Sequence, residues 1–294
     1  MLDKRLRTRR LRIVFIALVL ASSVLSSCAA TPTAQSVTEQ ATPQWTLVWR
    51  EGFGGAAGSQ PNPRYWNYDL GNRDYGNEEL EFYTQDRQNI RMNGLGQLEI
   101  RALKNQANPD LPCWNGGRCP YTSARITTKG KVTFQYGKVE ARIKVPPGRG
   151  FLPAFWSMGD GAAGWPDNGE IDVMEVVGQN PRTVYGTIHG PGYVGVERLG
   201  GHKDLKRDIS SGFHVFALIK RPHEILWLVD GAVYHRVTPS DLPEGTQWVF
   251  ERPFYLLLNL AVGGVWPGTP PADTVFPKVM VVDYVRVWRE NAKN

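Results

Sequence analysis

Short apolar or alternating segments, most of them ended by glycine or proline, are the feature of this chain that most restricts its fold. Residues 138–145 alternate apolar and polar side chains, and residues 213–220 do so more loosely. A period of two is typical of a β-strand with one buried face, whereas the nearly continuous apolar run at 255–262 suits a strand buried on both faces. Asp230-Gly231 separates two apolar runs and favours a type I′ hairpin, because glycine adopts positive φ at little cost.

These segments predict an all-β fold. Long amphipathic helices are absent from the sequence, which contains 31 glycines and 21 prolines as strand punctuation. A sandwich of two antiparallel sheets fits better than a closed barrel, whose strands are usually more evenly spaced. No break in composition and no internal repeat follows Gln44, so residues 44–294 are predicted to form one domain.

The first 27 residues are typical of an export signal. A cationic start and an apolar stretch lead to Leu25-Ser26-Ser27-Cys28. The apolar residues 13–25 are too few for a membrane-spanning helix, which needs about 20. The last four residues resemble the lipobox of bacterial lipoproteins and imply lipidation at Cys28, with an ordinary signal and an incidental cysteine as the alternative. Residues 28–43 lack apolar bulk and are predicted to be a disordered tether.

The positive charge of the chain lies in this signal. The formal net charge is +6, but residues 1–27 carry six of the 34 basic and one of the 28 acidic side chains, which leaves 28 against 27. A balanced domain has no global field that attracts phosphate polymers, so no nucleic-acid partner is expected. We expect an extracytoplasmic protein, held on a bacterial membrane by its lipid or present at the cell surface or secreted.

Cys113 and Cys119 bracket a short loop. In an exported chain such a pair favours a local disulfide. A metal site is disfavoured, because no second cysteine or histidine pair lies nearby.

Three acids inside an apolar, strand-like segment give the strongest chemical signal: Glu170, Asp172 and Glu175. Close carboxylates in a low-dielectric site push their pKa values apart, so that one can hold a proton near neutral pH while another stays ionised. A solvated outer face is one alternative, which the apolar neighbours disfavour. A calcium site is another, and the spacing alone leaves it open.

Strand geometry adds a condition. In a regular strand Glu170 and Asp172 share a face, and Glu175 points to the other face. A bulge near Val173 and Met174 would absorb one position and return Glu175 to the face of Glu170. The two carboxyl groups would then lie about 5–6 Å apart, which suits a retaining glycosidase, whereas an inverting enzyme needs a wider gap.

At these residues the sequence resembles glycoside hydrolase family 16, in particular its laminarinase-like endo-β-1,3-glucanases, whose signature is Glu-Ile-Asp-x-x-Glu with a bulge. The resemblance extends from about Trp45 to Trp288 and includes residues 121–126, 136–142, 153–156, 185–190, 258–264, 266–268 and 282–287. It implies a concanavalin A-like jelly-roll sandwich with a concave substrate cleft. It also implies retaining endo-hydrolysis of β-1,3- or mixed β-1,3-1,4-glucans such as laminarin.

The resemblance assigns roles to single residues. Glu170 matches the nucleophile, Asp172 the assisting carboxylate and Glu175 the acid/base. His189 matches a histidine beside these acids, with a buried structural histidine as the alternative. The expected sugar contacts are aromatic and polar residues of the cleft, namely Trp156, Trp266, Trp165, Arg125, Asn77 and Tyr75. The other tryptophans, Trp45, Trp49, Trp227 and Trp288, are predicted to be core or surface residues.

No cofactor is expected for catalysis. Many members of the family bind one structural calcium ion, and the matching positions here are the carbonyls of Gly52 and Gly94 and the carboxylate of Asp283. The sequence departs from its relatives at Glu51-Gly52-Phe53, where they often read Asp-Glu-Phe, so a possible side-chain ligand is lost. A second departure is Asn77-Glu78-Glu79 in place of Asn-Asn-Glu, near the glycone end of the cleft.

Two other functions stay open. Agarases and carrageenases of the same family share the bulged signature, although sulfated substrates favour extra cations in the cleft. A glucan-binding protein without turnover usually lacks one of the three acids, and all three are present here. The expected partner is a β-glucan, the only membrane contact is the lipid at Cys28, and the chain is expected to be a monomer.

Overall fold

Eighteen β-strands and two 3-10 turns form the regular structure of residues 44–72, 77–106, 108, 110–194 and 199–292, which the computed structural model describes. The strands are β1 Trp45–Glu51, β2 Asn67–Tyr68, β3 Glu81–Tyr83, β4 Ile90–Met92, β5 Leu98–Lys104, β6 Tyr121–Ser123, β7 Arg125–Thr127, β8 Thr133–Phe134, β9 Gly137–Lys144, β10 Phe151–Gly159, β11 Glu170–Glu175, β12 Thr183–His189, β13 Leu199–Asp204, β14 His214–Arg221, β15 Glu224–Val229, β16 Ala232–Val237, β17 Phe254–Val262 and β18 Lys278–Glu290. The turns are Ile209–Ser211 and Pro239–Asp241. The predicted signal, the tether with Cys28, and Tyr75 lie outside the described residues.

The strands form two sheets. The ten-stranded sheet has the order β16-β15-β14-β9-β18-β5-β6-β3, with β1 paired to β18 and β4 to β5. The eight-stranded sheet has the order β13-β12-β11-β10-β17-β7-β2, with β8 paired to β17. Their pairing is antiparallel except between β3 and β6, which run parallel at the end of the ten-stranded sheet. The predicted two-sheet jelly roll is confirmed, with this one parallel pair as a departure.

The core lies between the sheets, and β17 shows how the sequence builds it. Phe254, Leu256 and Leu258 point into the core and are fully buried. Tyr255 and Leu257 point to the other face, yet they are also buried, in a separate apolar cluster. The prediction of a strand buried on both faces is therefore confirmed. The second cluster shows that side chains on the outer face of this strand are also closely packed.

Local chemistry fixes two smaller features that were predicted. Asp230 and Gly231 connect β15 to β16 with φ of 50° and 81°, the positive values that a type I′ turn requires. Cys113 and Cys119 form the local disulfide.

Trp227 is a core residue, while Trp45, Trp49 and Trp288 are partly buried. The described residues contain no helix with the length and hydropathy of a membrane span.

Candidate active site

Strand β11 contains the predicted bulge. Opposite β10, Met174 pairs with Phe155 and Asp172 pairs with Trp156, so Val173 is the extra residue between two neighbouring partners. The register between β11 and β12 shifts over the same interval. One inserted position on β11 therefore interrupts its pairing with both neighbouring strands, as a β-bulge does.

Burial shows what the bulge does to side-chain direction. Val173 and Met174 are consecutive, and both are fully buried in the core between the sheets. In a regular strand one of them would face outward. Because both face inward, Glu175 lies on the outer face with Glu170 and Asp172. The predicted bulge is confirmed, whereas the spacing of about 5–6 Å between the two glutamate carboxyls stays a prediction.

Glu170, Asp172 and His189 form a connected cluster on this face. The Glu170 and Asp172 carboxyls share a hydrogen bond, and Trp165 donates a second hydrogen bond to Glu170. His189, directly opposite Glu170 on β12, places its Nε2 3.2 Å from Asp172 Oδ2. Asp172 is only 3% exposed, so these contacts replace the water that a carboxylate otherwise needs.

Burial and charge shift the pKa values of this cluster. Burial, followed by the neighbouring Asp172 charge, raises the pKa of Glu170 to about 8, although the His189 charge and the Trp165 hydrogen bond act in the opposite direction. Burial lowers the pKa of His189, but its hydrogen bond with Asp172 and the charges of Asp172, Glu170 and Glu175 outweigh burial and raise it to about 9. Near neutral pH the histidine is therefore a cation, and Glu170 retains its proton.

The same three side chains could in principle hold a metal ion, because their donor atoms all lie within 4.8 Å of one another. Calcium prefers a shell of oxygen ligands, and an imidazole nitrogen is a poor substitute. A protonated His189 also has no free lone pair for a metal. The set is therefore better suited to holding and moving a proton than to the calcium site that the sequence left open.

Trp156 forms part of the floor beside these acids. It is 9% exposed, and its indole Nε1 donates a hydrogen bond of 2.8 Å to Asn259 Oδ1. The guanidinium of Arg125 lies 4.7 Å from the centroid of the Trp156 ring, within the range of a cation–π contact. Asp69 binds the same guanidinium at 2.9 Å and fixes it in place. Trp156 and Arg125 are thus one packed unit, so little of the Trp156 ring is open to a sugar.

Trp266 and Asn77 meet at another part of the face. Asn77 accepts two hydrogen bonds from backbone N–H groups. The N–H of Val265 donates to the Asn77 carbonyl at 2.8 Å, and the N–H of Trp266 donates to Asn77 Oδ1 at 3.4 Å. The Trp266 ring meets the Tyr185 ring edge to face, with centroids 5.0 Å apart. Because Tyr185 is the β12 partner of Glu175, Trp266 lies on the Glu175 side of the site.

The structure therefore brings the described predicted residues around β11, with Trp165 the most open aromatic at 53% exposed. The predicted metal ligands are elsewhere. Asp283 lies on β18 of the ten-stranded sheet, and Gly52 and Gly94 lie next to β1 and β4 of that sheet. Tyr75 is outside the described residues.

Sequence reasoning missed a buried polar chain behind Trp156. Asn259, which holds the Trp156 indole, donates a hydrogen bond of 3.0 Å to the Tyr83 hydroxyl, and Tyr83 donates one of 3.1 Å to Glu79. Glu81 beside it is fully buried, and burial together with the Glu79 charge holds its pKa well above the usual range. The available signal was Asn259 itself, a polar residue inside an otherwise apolar run.

Comparisons with known proteins agree with this geometry. The family model described as Glycosyl hydrolases family 16 matches residues 76–286. A beta-glucanase from Rhodothermus marinus is 42% identical over 260 residues, which cover 84% of this chain and 86% of that protein. The solved endo-beta-1,3-glucanase from Pyrococcus furiosus is similar with a TM-score of 0.79 and 44% identity, over 85% of this chain and 97% of that one. The catalytic domain of an endo-1,3-beta-glucanase (laminarinase) from Thermotoga petrophila RKU-1 has a TM-score of 0.78 and 42% identity, over 85% and 100%. The chain belongs to the glycosyl hydrolases of family 16.

Proposed function

We propose that this chain is a monomeric, retaining endo-β-glucanase that hydrolyses internal β-1,3 bonds, or bonds of mixed β-1,3-1,4-glucans, in polysaccharides such as laminarin. One observation carries the proposal. The bulge places Val173 and Met174 both in the core and so brings Glu175 to the face of Glu170, Asp172 and His189. Double displacement at a sugar requires a nucleophile and a proton donor on the same face of the sheet.

In the first step, a carboxylate oxygen of Glu170 forms a bond to the anomeric carbon. The bond from that carbon to the glycosidic oxygen breaks, and Glu175 gives its proton to the leaving oxygen. In the second step a water molecule attacks the same carbon, Glu175 takes its proton, and the bond to Glu170 breaks. Two inversions at one carbon retain the β configuration.

Asp172 and His189 control the charge of the nucleophile. Glu170 attacks only as a carboxylate, yet burial and the Asp172 charge raise its pKa to about 8. The His189 cation acts in the opposite direction and lowers the pKa of Glu170, which favours the attacking carboxylate. His189 Nε2 lies 3.2 Å from Asp172 Oδ2, so the cation also offsets the Asp172 charge that raises this pKa. Trp165, which donates to Glu170 and is half exposed, both orients the nucleophile and offers a ring face to the sugar.

The experiment is hydrolysis by the purified chain without residues 1–27. We expect new reducing ends from laminarin and from lichenan, longer oligosaccharides before short ones, and first products in the β configuration by proton NMR. Release of reducing ends only from agarose or κ-carrageenan would show that the chain is a galactan hydrolase and not a glucanase. Tight binding of laminarin without any release of reducing ends would show that the chain is a glucan-binding protein without turnover.

The proposal includes a structural calcium ion, and the described residues fit one. The pairing of Glu51 with Val285 and of Leu98 with Val282 brings the chain next to Gly52, Gly94 and Asp283 to one region of the ten-stranded sheet. All of these positions offer oxygen donors, which calcium prefers. Glu51 Oε2 is a further candidate, because it is buried without a hydrogen-bond partner among the described residues. Arg142, 2.7 Å from Asp283 Oδ2, competes with a cation there.

Calcium is expected to raise the melting temperature of the chain relative to the same sample in EGTA. Binding to the native state alone stabilises it by about 2.7 kcal/mol when the free ion is at 100 times its Kd. At about 2–4 °C per kcal/mol for a domain of this size, the shift amounts to several degrees. Asp283→Asn should remove it, whereas Asp273→Asn, at an exposed position, should keep it. Equal melting temperatures with calcium and EGTA would contradict the site.

We further propose that the chain is exported and anchored through a lipid at Cys28. The Leu25–Cys28 pattern supports the anchor, and the Cys113–Cys119 disulfide suits an oxidising compartment. The full chain, expressed in bacteria with labelled palmitate, is expected to take up label and sediment with membranes, and Cys28→Ser should lose both properties. Label retained by Cys28→Ser would show that the lipid is attached at another residue. An unlabelled wild-type chain would contradict the anchor and favour an ordinary export signal.

A further inference from the structure

One hydrogen bond crosses the sandwich at the bulge. Trp227 lies on β15 of the ten-stranded sheet and is fully buried. Its indole Nε1 donates a hydrogen bond of 2.7 Å to the backbone carbonyl of Asp172, 55 residues away on β11 of the other sheet. Sheets in a sandwich normally meet through apolar side chains, so a side-chain donor aimed at the backbone of the opposite sheet is unusual.

The bonded carbonyl belongs to the residue directly before the inserted position. A bulge interrupts the ladder of backbone hydrogen bonds at this point, because two residues on one strand oppose one residue on its neighbour. A buried carbonyl that loses its ladder partner destabilises the fold unless another donor replaces that partner. Trp227 donates to this carbonyl, so the Asp172 carbonyl has a hydrogen-bond donor at the bulge.

Strand β12 is shaped to admit the indole. A Cβ atom at Gly186 would lie 2.2 Å from Trp227 Cδ1 and 2.6 Å from its Nε1. Any side chain at this position would therefore push the indole away. Gly186 lies between Thr187, the partner of Asp172, and Tyr185, the partner of Glu175. The opening for the indole is thus directly below the segment of β11 that contains the bulge.

We propose that Trp227 is a positioning residue for the acid/base. Its N–H holds the Asp172 carbonyl in the bulged register, and this register turns Glu175 into the cleft. Without the donor, the backbone at residues 172–174 relaxes and Glu175 moves out of line with the glycosidic oxygen. This inference rests on the proposed role of Glu175 as proton donor.

Trp227→Phe tests the inference, because phenylalanine keeps an aromatic ring in the core and removes the donor. We expect kcat on laminarin to fall about 10- to 100-fold with KM unchanged, the size of effect that a misplacement of about 1 Å produces. Trp66→Phe is the matched control. Trp66 is 2% exposed, and its Nε1 has no hydrogen-bond partner among the described residues, so the same change removes packing but no bond. Its kcat should stay close to that of the wild type.

A second readout separates positioning from general damage to the fold. Phenyl β-laminaribioside needs a proton on its leaving oxygen, whereas the 2,4-dinitrophenyl analogue leaves without one. Trp227→Phe should therefore lose far more of its glycosylation rate on the phenyl substrate. Replacing Trp227 with 3-benzothienylalanine, which has the shape of tryptophan but no N–H, should give the same selective loss even if Trp227→Phe folds poorly.

The outcomes are distinguishable from failure of the proposed function. A wild-type chain that cleaves neither laminarin nor these glucosides refutes the glucanase proposal itself. An active wild type with equal losses on both aryl substrates in the two Trp227 variants shows that the residue is only structural. Wild-type activity in the 3-benzothienylalanine variant shows that the hydrogen bond has no role. Either of the last two results overturns the inference and leaves the glucanase proposal intact.

Discussion

Glu170→Gln is expected to abolish measurable hydrolysis of laminarin while glucan affinity stays close to that of the wild type. An amide has nearly the shape of the carboxyl, but it cannot form the glycosyl–enzyme bond. Removing a covalent nucleophile lowers kcat by a factor on the order of 10⁴ to 10⁶ in hydrolases. Reducing-end release measures the first effect, and titration calorimetry with laminari-oligosaccharides measures the second. The control is Glu244→Gln, the same change at an exposed position outside the site.

The same variant is expected to be more thermally stable than the wild type, by an amount that depends on pH. The folded chain holds Glu170 with a pKa of about 8, against 4.5 for an ordinary glutamate. Between these values the unfolded chain has lost the proton that the folded chain retains, so rising pH favours unfolding. Glutamine does not ionise, so the variant lacks this loss of stability with rising pH. The difference in melting temperature between variant and wild type should therefore grow from pH 4.5 to 8 and then level off.

A constant difference across that range would show that Glu170 ionises normally in the folded state. His189 does not reverse the sign. Its raised pKa of about 9 gives stability that is complete below about 6.5 and fades as pH rises toward 9. The variant keeps the hydrogen bond of His189 with Asp172, its largest favourable contact, so most of this contribution is common to both proteins.

The bulge could be predicted because it follows from the alternation of side chains along a strand. Strand side chains alternate with a period of two, so acids at positions 170, 172 and 175 cannot share a face without one inserted residue. The sandwich could be predicted for a similar reason, since hydrophobic periodicity and an Asp-Gly turn are local signals. Local rules thus predicted the bulge on β11 and the β15–β16 hairpin without knowledge of any long-range contact.

The long-range partners could not be predicted in this way. Nothing near Trp227 in the sequence indicates that its indole bonds the carbonyl of Asp172 across the core, and it was predicted only to be core or surface. Arg125 was expected to touch sugar, yet its guanidinium packs on Trp156 and binds Asp69. Such contacts depend on which strands face one another, and that is a property of the topology and not of local sequence.

Glu175→Ala should affect substrates in proportion to how much they need a proton. Loss of a general acid lowers rates by about 10² to 10⁴, so laminarin hydrolysis should fall by that amount. The 2,4-dinitrophenyl glucoside should still form the glycosyl–enzyme at a rate near that of the wild type, because its phenolate leaves unprotonated. Hydrolysis of this intermediate then becomes slow, since no base is present to activate water, and a burst of dinitrophenol should precede a slow steady state.

Azide is expected to rescue the Glu175→Ala variant. The anion needs no general base and fits the space that the missing carboxylate leaves, so it should attack the anomeric carbon and give a β-glycosyl azide. Proton NMR identifies the anomer. Glu170→Gln cannot form the intermediate and should give no azide product under the same conditions, which makes it the control. An α-glycosyl azide from Glu175→Ala, or β-azide formed by Glu170→Gln, would exchange the roles of the two glutamates. Full activity of Glu175→Ala on laminarin would mean that the bulge turns this side chain outward for a reason other than proton transfer.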